Sequence, residues 1–230
     1  MGFFSGFSKK KTETPAPAGL PLSEDQFRDL IHQGEDKEFR TRVPDLAGKK
    51  ALEIAPRQKG SAVFLRGKGA GLVARLGGTK EKDLAESGTS GAGGETFILS
   101  HWESLPFLDS CFDFVLLRSA FLKVSLGRVL REAGRVLDTK GSLLLSDLHP
   151  FSQMVQREHL KNPVGEEGIG PGFERYAKWF REAGFRFEWV REIFFEGTMK
   201  KAFGVSEDQQ RAFDGLRRTP FLILFSLKKE

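Results

Sequence analysis

Residues Ser104 to Pro150 constrain the fold more than any other stretch: SLPFLDSCFDFVLLRSAFLKVSLGRVLREAGRVLDTKGSLLLSDLHP. A tight LPFLDS turn leads into an apolar run, Phe112 to Leu117. Leu122, Leu126, Val129, Leu130, Ala133, Val136 and Leu137 then recur at helical spacing, with Arg128, Arg131, Glu132 and Arg135 on the opposite face. Asp138, Lys140 and Gly141 spell a turn, and Ser142 to Ser146 reads as a second buried strand. Two apolar strands flanking one amphipathic helix form a right-handed crossover unit of a parallel sheet.

A chain of 230 residues, 39% hydrophobic and carrying 22 Phe, supports one sizeable α/β core with appendages. No run approaches the roughly 20 apolar residues that span a bilayer. No secretory leader with a small-residue cleavage site is visible, so a cytoplasmic location is expected. The single cysteine, Cys111, has no partner for an internal disulfide and is read as a part-buried small hydrophobe. The net charge of +5 permits an anionic partner, but the basic residues are dispersed and not interleaved with aromatics, so nucleic acid is not expected as the partner. The four histidines are scattered without metal-ligand spacing.

Residues 1–21 pair a Phe- and Lys-rich start, MGFFSGFSKKK, with the Pro-rich TETPAPAGLP. They are read as a disordered tail, or as a weak contact with an anionic membrane or a partner groove. Gly6 stands where a myristoylation signal requires Ser or Thr. Ser23 caps an expected short helix whose apolar face is Phe27, Leu30 and Ile31. Lys50 to Ile54 reads as a strand, Ser61 to Arg66 as a short helix, Leu72 to Leu76 as a strand, and Lys80 to Glu86 as a charged helix. Gly88 to Glu95 forms a linker, followed by a strand at Thr96 to Ser100. GKGAG at Gly67 to Gly71 is a helix-to-strand turn; a dinucleotide loop requires a full helix after it. Past Pro150, Phe173, Tyr176, Ala177 and Phe180 give a helix face closed by Gly184. Phe185, Phe187 and Trp189 alternate as in a strand, and Thr219 to Lys228 is a last strand.

LPFLDSCFDFV followed by LREAGRVLDTKGSLLLSD closely resembles the second half of class I S-adenosylmethionine-dependent methyltransferases of the type 11-like group. In that family LPF-x-D-x-x-FD-x-V precedes LRE-x-x-RVL-x-x-GG. The resemblance implies a Rossmann-like α/β fold: a mostly parallel seven-stranded sheet with an antiparallel last strand and helices on both faces. It implies one domain over residues 22–230, with a cofactor half at 48–150 and a C-terminal half at 151–230 whose segments Ser152 to Gly172 and Met199 to Arg217 cover the pocket mouth. The leading helix often covers the ligand pocket in such proteins.

The resemblance also assigns positions for the donor. After the first strand the family carries an acid and alternating glycines, which let the backbone approach the ligand. LEIAPRQKG keeps the acid as Glu53 but sets Ala55, Arg57 and Lys59 in the glycine positions, with Gly60 one place beyond. The ribose-binding acid corresponds to Leu76, and the adenine-binding acid to His101, followed by Trp102, which could stack on a base. Arg118, Ser119, Asp147 and His149 fall after the fourth and fifth strands, where ligands of open α/β sheets sit. Among these, Arg118 is a donor-site candidate, and His149 is either the base for an acceptor or a turn residue satisfied by backbone. S-adenosylmethionine carries about one net positive charge, and each opposed charge at contact distance is worth about 1–4 kcal/mol. Three functions follow: a divergent S-adenosylmethionine-dependent methyltransferase acting on a small molecule; a catalytically silent relative (a pseudoenzyme) that binds or regulates a protein partner; or a fold reused for an anionic ligand held near Arg57 and Lys59.

Overall fold

The computed structural model describes residues 22–55, 61–77, 95–119, 124–152 and 172–230. The expected Lys80–Glu86 helix, most of the Gly88–Glu95 linker, Leu122 and most of the Ser152–Gly172 segment lie outside them, as does the 1–21 tail.

The chain runs α1 (Glu24–Arg42), β1 (Lys50–Ile54), α2 (Ser61–Gly67), β2 (Leu72–Gly77), β3 (Glu95–Leu99), β4 (Phe112–Arg118), α3 (Leu126–Val136) and β5 (Leu137–Leu148). It continues with α4 (Phe173–Glu182), β6 (Phe185–Phe194), a 3-10 helix (Gly197–Phe203), α5 (Glu207–Leu216) and β7 (Pro220–Lys229). The seven strands form one sheet in the order β3-β2-β1-β4-β5-β7-β6. β7 runs antiparallel to both neighbours, and every other pairing is parallel. This is the seven-stranded architecture that the sequence resemblance implies.

Each helix forms for a local reason. The Ser23 hydroxyl accepts the Gln26 N–H at 3.2 Å while Gln26 Oε1 accepts the Ser23 N–H at 2.8 Å, a capping box that satisfies two end groups of α1. That helix is 19 residues long, not short, because Phe39 and Val43 extend the stripe begun by Phe27, Leu30 and Ile31. It packs with α2, the 3-10 helix and α5 on one face of the sheet, over Ala51, Val73, Phe114, Leu116, Leu144, Leu222 and Leu224. On the other face α3 and α4 cover Leu52, Ile54, Val115, Leu117, Leu143, Leu145, Ile223 and Phe225. Successive β1 and β4 residues therefore feed opposite cores, which accounts for their near-continuous apolar runs. The expected pocket-covering segment Met199 to Arg217 contributes Met199, Phe203 and Phe213 to the α1 side of the core.

The LPFLDS turn is held by the helix that follows it. Arg135 donates from Nη1 to Phe107 O at 2.8 Å and Asp109 Oδ1 at 2.7 Å, and from Nη2 to Leu105 O at 2.9 Å. Glu132 Oε2 accepts the Leu105 N–H at 2.8 Å. The LPFLD and LREAGR segments of the sequence are thus the halves of one bracket. The turn expected at Asp138 to Gly141 is an irregularity inside β5, not a break. Phe112 pairs with Leu137 and Phe114 with Ser142, so β5 gains three extra residues there. α3 lies so close to the end of α4 that a Cβ on Gly134 would come within 2.3 Å of Ala183 O. Gly184, at φ +74°, ends α4 in the left-handed region that glycine adopts freely. No described helix is long and apolar enough to cross a membrane.

Candidate functional site

The strand order reverses between β1 and β4: from β1 the chain winds outward to β3, then returns to β4 on the other side. Open α/β sheets bind ligands in the crevice beyond the carboxyl ends of the strands at such a reversal. Glu53 stands at that end of β1 and Arg118 at that end of β4. Both side chains are almost wholly buried, at 1% and 2% exposure.

The alternation that feeds Leu52 and Ile54 to one core turns Glu53 toward the α1 face. There it meets its register neighbour on β2, Arg75, whose Nε donates to Glu53 Oε2 at 2.9 Å. Arg118 Nε lies 3.4 Å from Glu53 Oε1. The two terminal nitrogens of Arg118 go elsewhere. Nη1 donates to Glu35 Oε2 and Nη2 to Asp36 Oδ1, each at 3.0 Å. The guanidinium also stacks over the Phe39 ring, 4.7 Å from its centroid. Glu35 is itself buried, accepts a short hydrogen bond from the Ser146 hydroxyl, and has His32 Nδ1 at 3.5 Å. α1 is thus joined through polar groups to the ends of β1, β4 and β5.

Burial pushes the Glu35 carboxyl upward, but the Arg118 charge and the hydrogen bonds from His32 and Ser146 outweigh it and hold the pKa below the ordinary value. Burial opposes the Arg118 charge, yet Glu35, Glu53 and Asp36 together raise its pKa. Among the described residues Glu53 Oε1 accepts no hydrogen bond although it is buried. An unpaired buried carboxylate oxygen costs free energy unless a donor reaches it.

A second polar group follows along β5. Asp147 Oδ2 accepts the Tyr176 hydroxyl at 2.6 Å, and Oδ1 accepts the Leu148 N–H at 2.8 Å. Burial pushes the Asp147 carboxyl up to about 6, partly offset by these bonds and one from Ser119. Burial and the adjacent Asp147 carry the Tyr176 phenol far above its usual range. His149 is buried. Its Nδ1 accepts the Phe151 N–H at 3.2 Å, which places the proton on Nε2, 3.1 Å from Glu192 Oε1. Burial lowers the His149 pKa against the pull of Glu192. Both ring nitrogens are thus engaged, one by the Phe151 N–H and the other by Glu192.

The structure therefore brings Glu53 and Arg118 together. Ala55 is buried just past β1. Leu76 lies in β2, paired with Ile54 and Ile98. His101 is exposed and Trp102 half-buried beyond β3, two strands from β1. The Trp102 indole N–H is buried without an acceptor among the described residues. Arg57, Lys59 and Gly60 lie outside the described residues. Cys111 is half-buried, and burial raises its thiol pKa.

Sequence reasoning missed Glu35, Asp36, Arg75, Tyr176 and Glu192. One signal was present: LEI and LVARLG each carry one charge inside an apolar strand, opposite in sign. Such charges survive in a sheet when they pair.

A family model described as a methyltransferase domain matches residues 79–145. A proposed S-adenosylmethionine-dependent methyltransferase of Listeria monocytogenes superposes with a TM-score of 0.67 at 16% identity, over 88% of this chain and 99% of the other. A proposed methyltransferase of Haloferax volcanii, solved in complex with the Trm112 methyltransferase activator, gives 0.65 at 19% identity, over 89% and 94%. The geranyl diphosphate C-methyltransferase of Streptomyces coelicolor, solved with Mg2+, geranyl diphosphate and S-adenosyl-L-homocysteine, gives 0.63 at 13% identity, over 90% and 84%. No curated protein matches the chain. At these identities the likeness is one of fold, and the fold is that of the class I methyltransferases, in agreement with the motif resemblance.

Proposed function

We propose that this chain, built on the class I methyltransferase fold, takes S-adenosylmethionine at the β1/β4 reversal and passes its methyl group to a small-molecule acceptor. One observation carries the reading: Glu53 Oε1 is a buried carboxylate oxygen at the switch point that accepts no hydrogen bond among the described residues. An ammonium or hydroxyl donor fits such an acceptor, and the donor nucleoside has both. Glu53 would hold the donor, with Ala55 beside it, and His101 and Trp102 would line the far end beyond β3. The bound donor supplies an electrophilic methyl carbon and leaves as a neutral thioether. The residues of the chain align the two reactants and keep water out. Asp147 and Tyr176, locked to each other, shape the floor beneath the acceptor. His149 holds Glu192, whose carboxylate is 43% exposed, and Glu192 is the better placed group to receive an acceptor's proton.

A second reading has its own support. Glu53 already faces two guanidinium groups, Arg75 and Arg118, which offset its charge. On that reading the chain is a silent member of the fold that works by binding, with a protein partner such as the activator seen with the Haloferax protein. The anionic-ligand reading rests on Arg57 and Lys59, outside the described residues.

Melting curves with S-adenosylhomocysteine separate them. A ligand at 100 times its Kd stabilises by about 2.7 kcal/mol, which is roughly 5–10 °C in a domain of this size. A shift in that range is expected, with label from methyl-labelled donor appearing in an acceptor pool. An unmoved melting temperature at millimolar nucleoside removes the donor reading and leaves the binding protein. A shift produced by phosphate or nucleotides instead selects the anionic ligand.

A further inference from the structure

Arg118 could pair with Glu53 through two parallel hydrogen bonds, the geometry that guanidinium and carboxylate favour. It does not. Both terminal nitrogens are drawn off by α1, to Glu35 and Asp36 at 3.0 Å, and only Nε faces Glu53, at 3.4 Å and without hydrogen-bond geometry. Glu35 is held for this task from three sides: Arg118, His32 and the Ser146 hydroxyl. The result is a buried carboxylate with one oxygen on Arg75 and the other without a hydrogen bond among the described residues. The charge count agrees. Among the described residues, Glu35, Asp36 and Glu53 set three negative charges against the two positive charges of Arg75 and Arg118, an excess of one negative charge before Asp147 is counted.

We propose that Glu35 is a positioning and charge-setting residue of the β1/β4 crevice: by holding Arg118 away from Glu53 it keeps a free carboxylate oxygen and a net negative charge there, so that a cationic ligand is preferred over its neutral counterpart. The inference rests on the donor reading for the identity of the ligand, though not for the pairing itself. It makes α1, whose apolar face alone stands out in the residues, a contributor to specificity. A purely structural Glu35 would affect a sulfonium nucleoside and its thioether alike, since the two differ by one methyl group and one charge. A charge-setting Glu35 affects the sulfonium more than the thioether.

The test uses the full chain and the variants E35Q and D36N at pH 8. Gln at position 35 keeps an acceptor for Ser146 and removes the charge. Calorimetry gives the ratio of the S-adenosylhomocysteine Kd to the S-adenosylmethionine Kd. In E35Q this ratio falls about fivefold: both nucleosides lose the free Glu53 oxygen that their shared ammonium and hydroxyls can reach, and the sulfonium alone also loses the favourable charge. D36N moves it the same way by less, because Asp36 is 55% exposed and screened. Equal weakening of both nucleosides, or an unchanged ratio, overturns the proposal. A crystal structure of ligand-free E35Q decides the pairing independently: a terminal nitrogen of Arg118 comes to about 2.9 Å from Glu53 Oε1. An Arg118 that keeps its wild-type contacts overturns the proposal. If neither nucleoside binds the wild type but Arg118 re-pairs in E35Q, the donor reading fails while the positioning role of Glu35 holds.

Discussion

Replacing Arg118 with methionine tests whether the network at the switch point is held as described. Methionine matches the length of the side chain and can still pack on Phe39, so the principal loss is charge. Three carboxylates lose a partner, but not equally. Asp36 is 55% exposed and is rehydrated at little cost. Glu53 keeps Arg75 at 2.9 Å. Glu35, at 1% exposure, is left with His32 and Ser146 among the described residues. Stranding one buried charge in this way typically costs about 3–5 kcal/mol. In a domain of this size that lowers Tm by roughly 6–20 °C.

The pH dependence identifies the cause. In the wild type the Glu35 carboxyl sits below its ordinary value of 4.5, so its contribution is present above that pH and is lost as pH falls through the lower folded value. Without Arg118, burial is the dominant influence left and the folded pKa rises above 4.5. The ionised Glu35 then weakens the variant at pH 7, and protonation relieves it as pH falls. Urea unfolding of both proteins should therefore show a gap that is full at pH 7 and narrows toward pH 4.5. The double variant E35Q/R118M should recover part of the loss, because the stranded charge is gone. A gap below about 1 kcal/mol, or one that stays constant across the pH range, would refute the assignment of Arg118 as the counter-ion of a buried Glu35.

Two further outcomes test other parts of the structure. Asp147 titrates near 6 when folded against 3.8 for the free side chain, so its ionisation costs stability as pH rises from about 4 to 6 and the cost is constant above; D147N should remove about 2–3 kcal/mol of slope over that window in stability-versus-pH measurements. G134A should destabilise by about 1–3 kcal/mol despite the better helix propensity of alanine, because its Cβ would meet Ala183 O at 2.3 Å, and a chemical melt with no loss would mean that α3 and α4 can separate freely.

The fold was legible because its signals are local. The strand–helix–strand pattern of 104–150 depends on apolar spacing, which tertiary structure then uses without altering. Even the motif resemblance has a local cause: Glu132 and Arg135 of LREAGR hold Leu105, Phe107 and Asp109 of LPFLD, so the two motifs travel together as one mechanical unit. Where expectation and structure part, the cause is long-range. α1 runs to Arg42 because a distant core receives Phe39 and Val43, and the Asp138–Gly141 turn is absorbed into β5 because β4 offers Phe112 as a partner for Leu137.

The site was half legible for the same reason. Glu53 and Arg118 sit at strand ends that a family pattern marks, so both were found. Glu35 belongs to a run of acids in QGEDKEF, and on a helix such a run is ordinarily a solvated face. Its neighbours Asp36 and Lys37 are exposed as that rule expects. Only docking against the ends of β1 and β4 selects Glu35 for burial, and nothing within its own helix states where that docking occurs. What the sequence does contain is the complement: Arg118, closing an otherwise apolar FDFVLLR strand, needs an anion once buried, and Glu53 is already shared with Arg75. A buried cation with only part of one carboxylate available implies another acid from elsewhere in the chain. Counting buried charges strand by strand and asking which lacks a partner would thus have predicted a third element over the switch point before any coordinates existed.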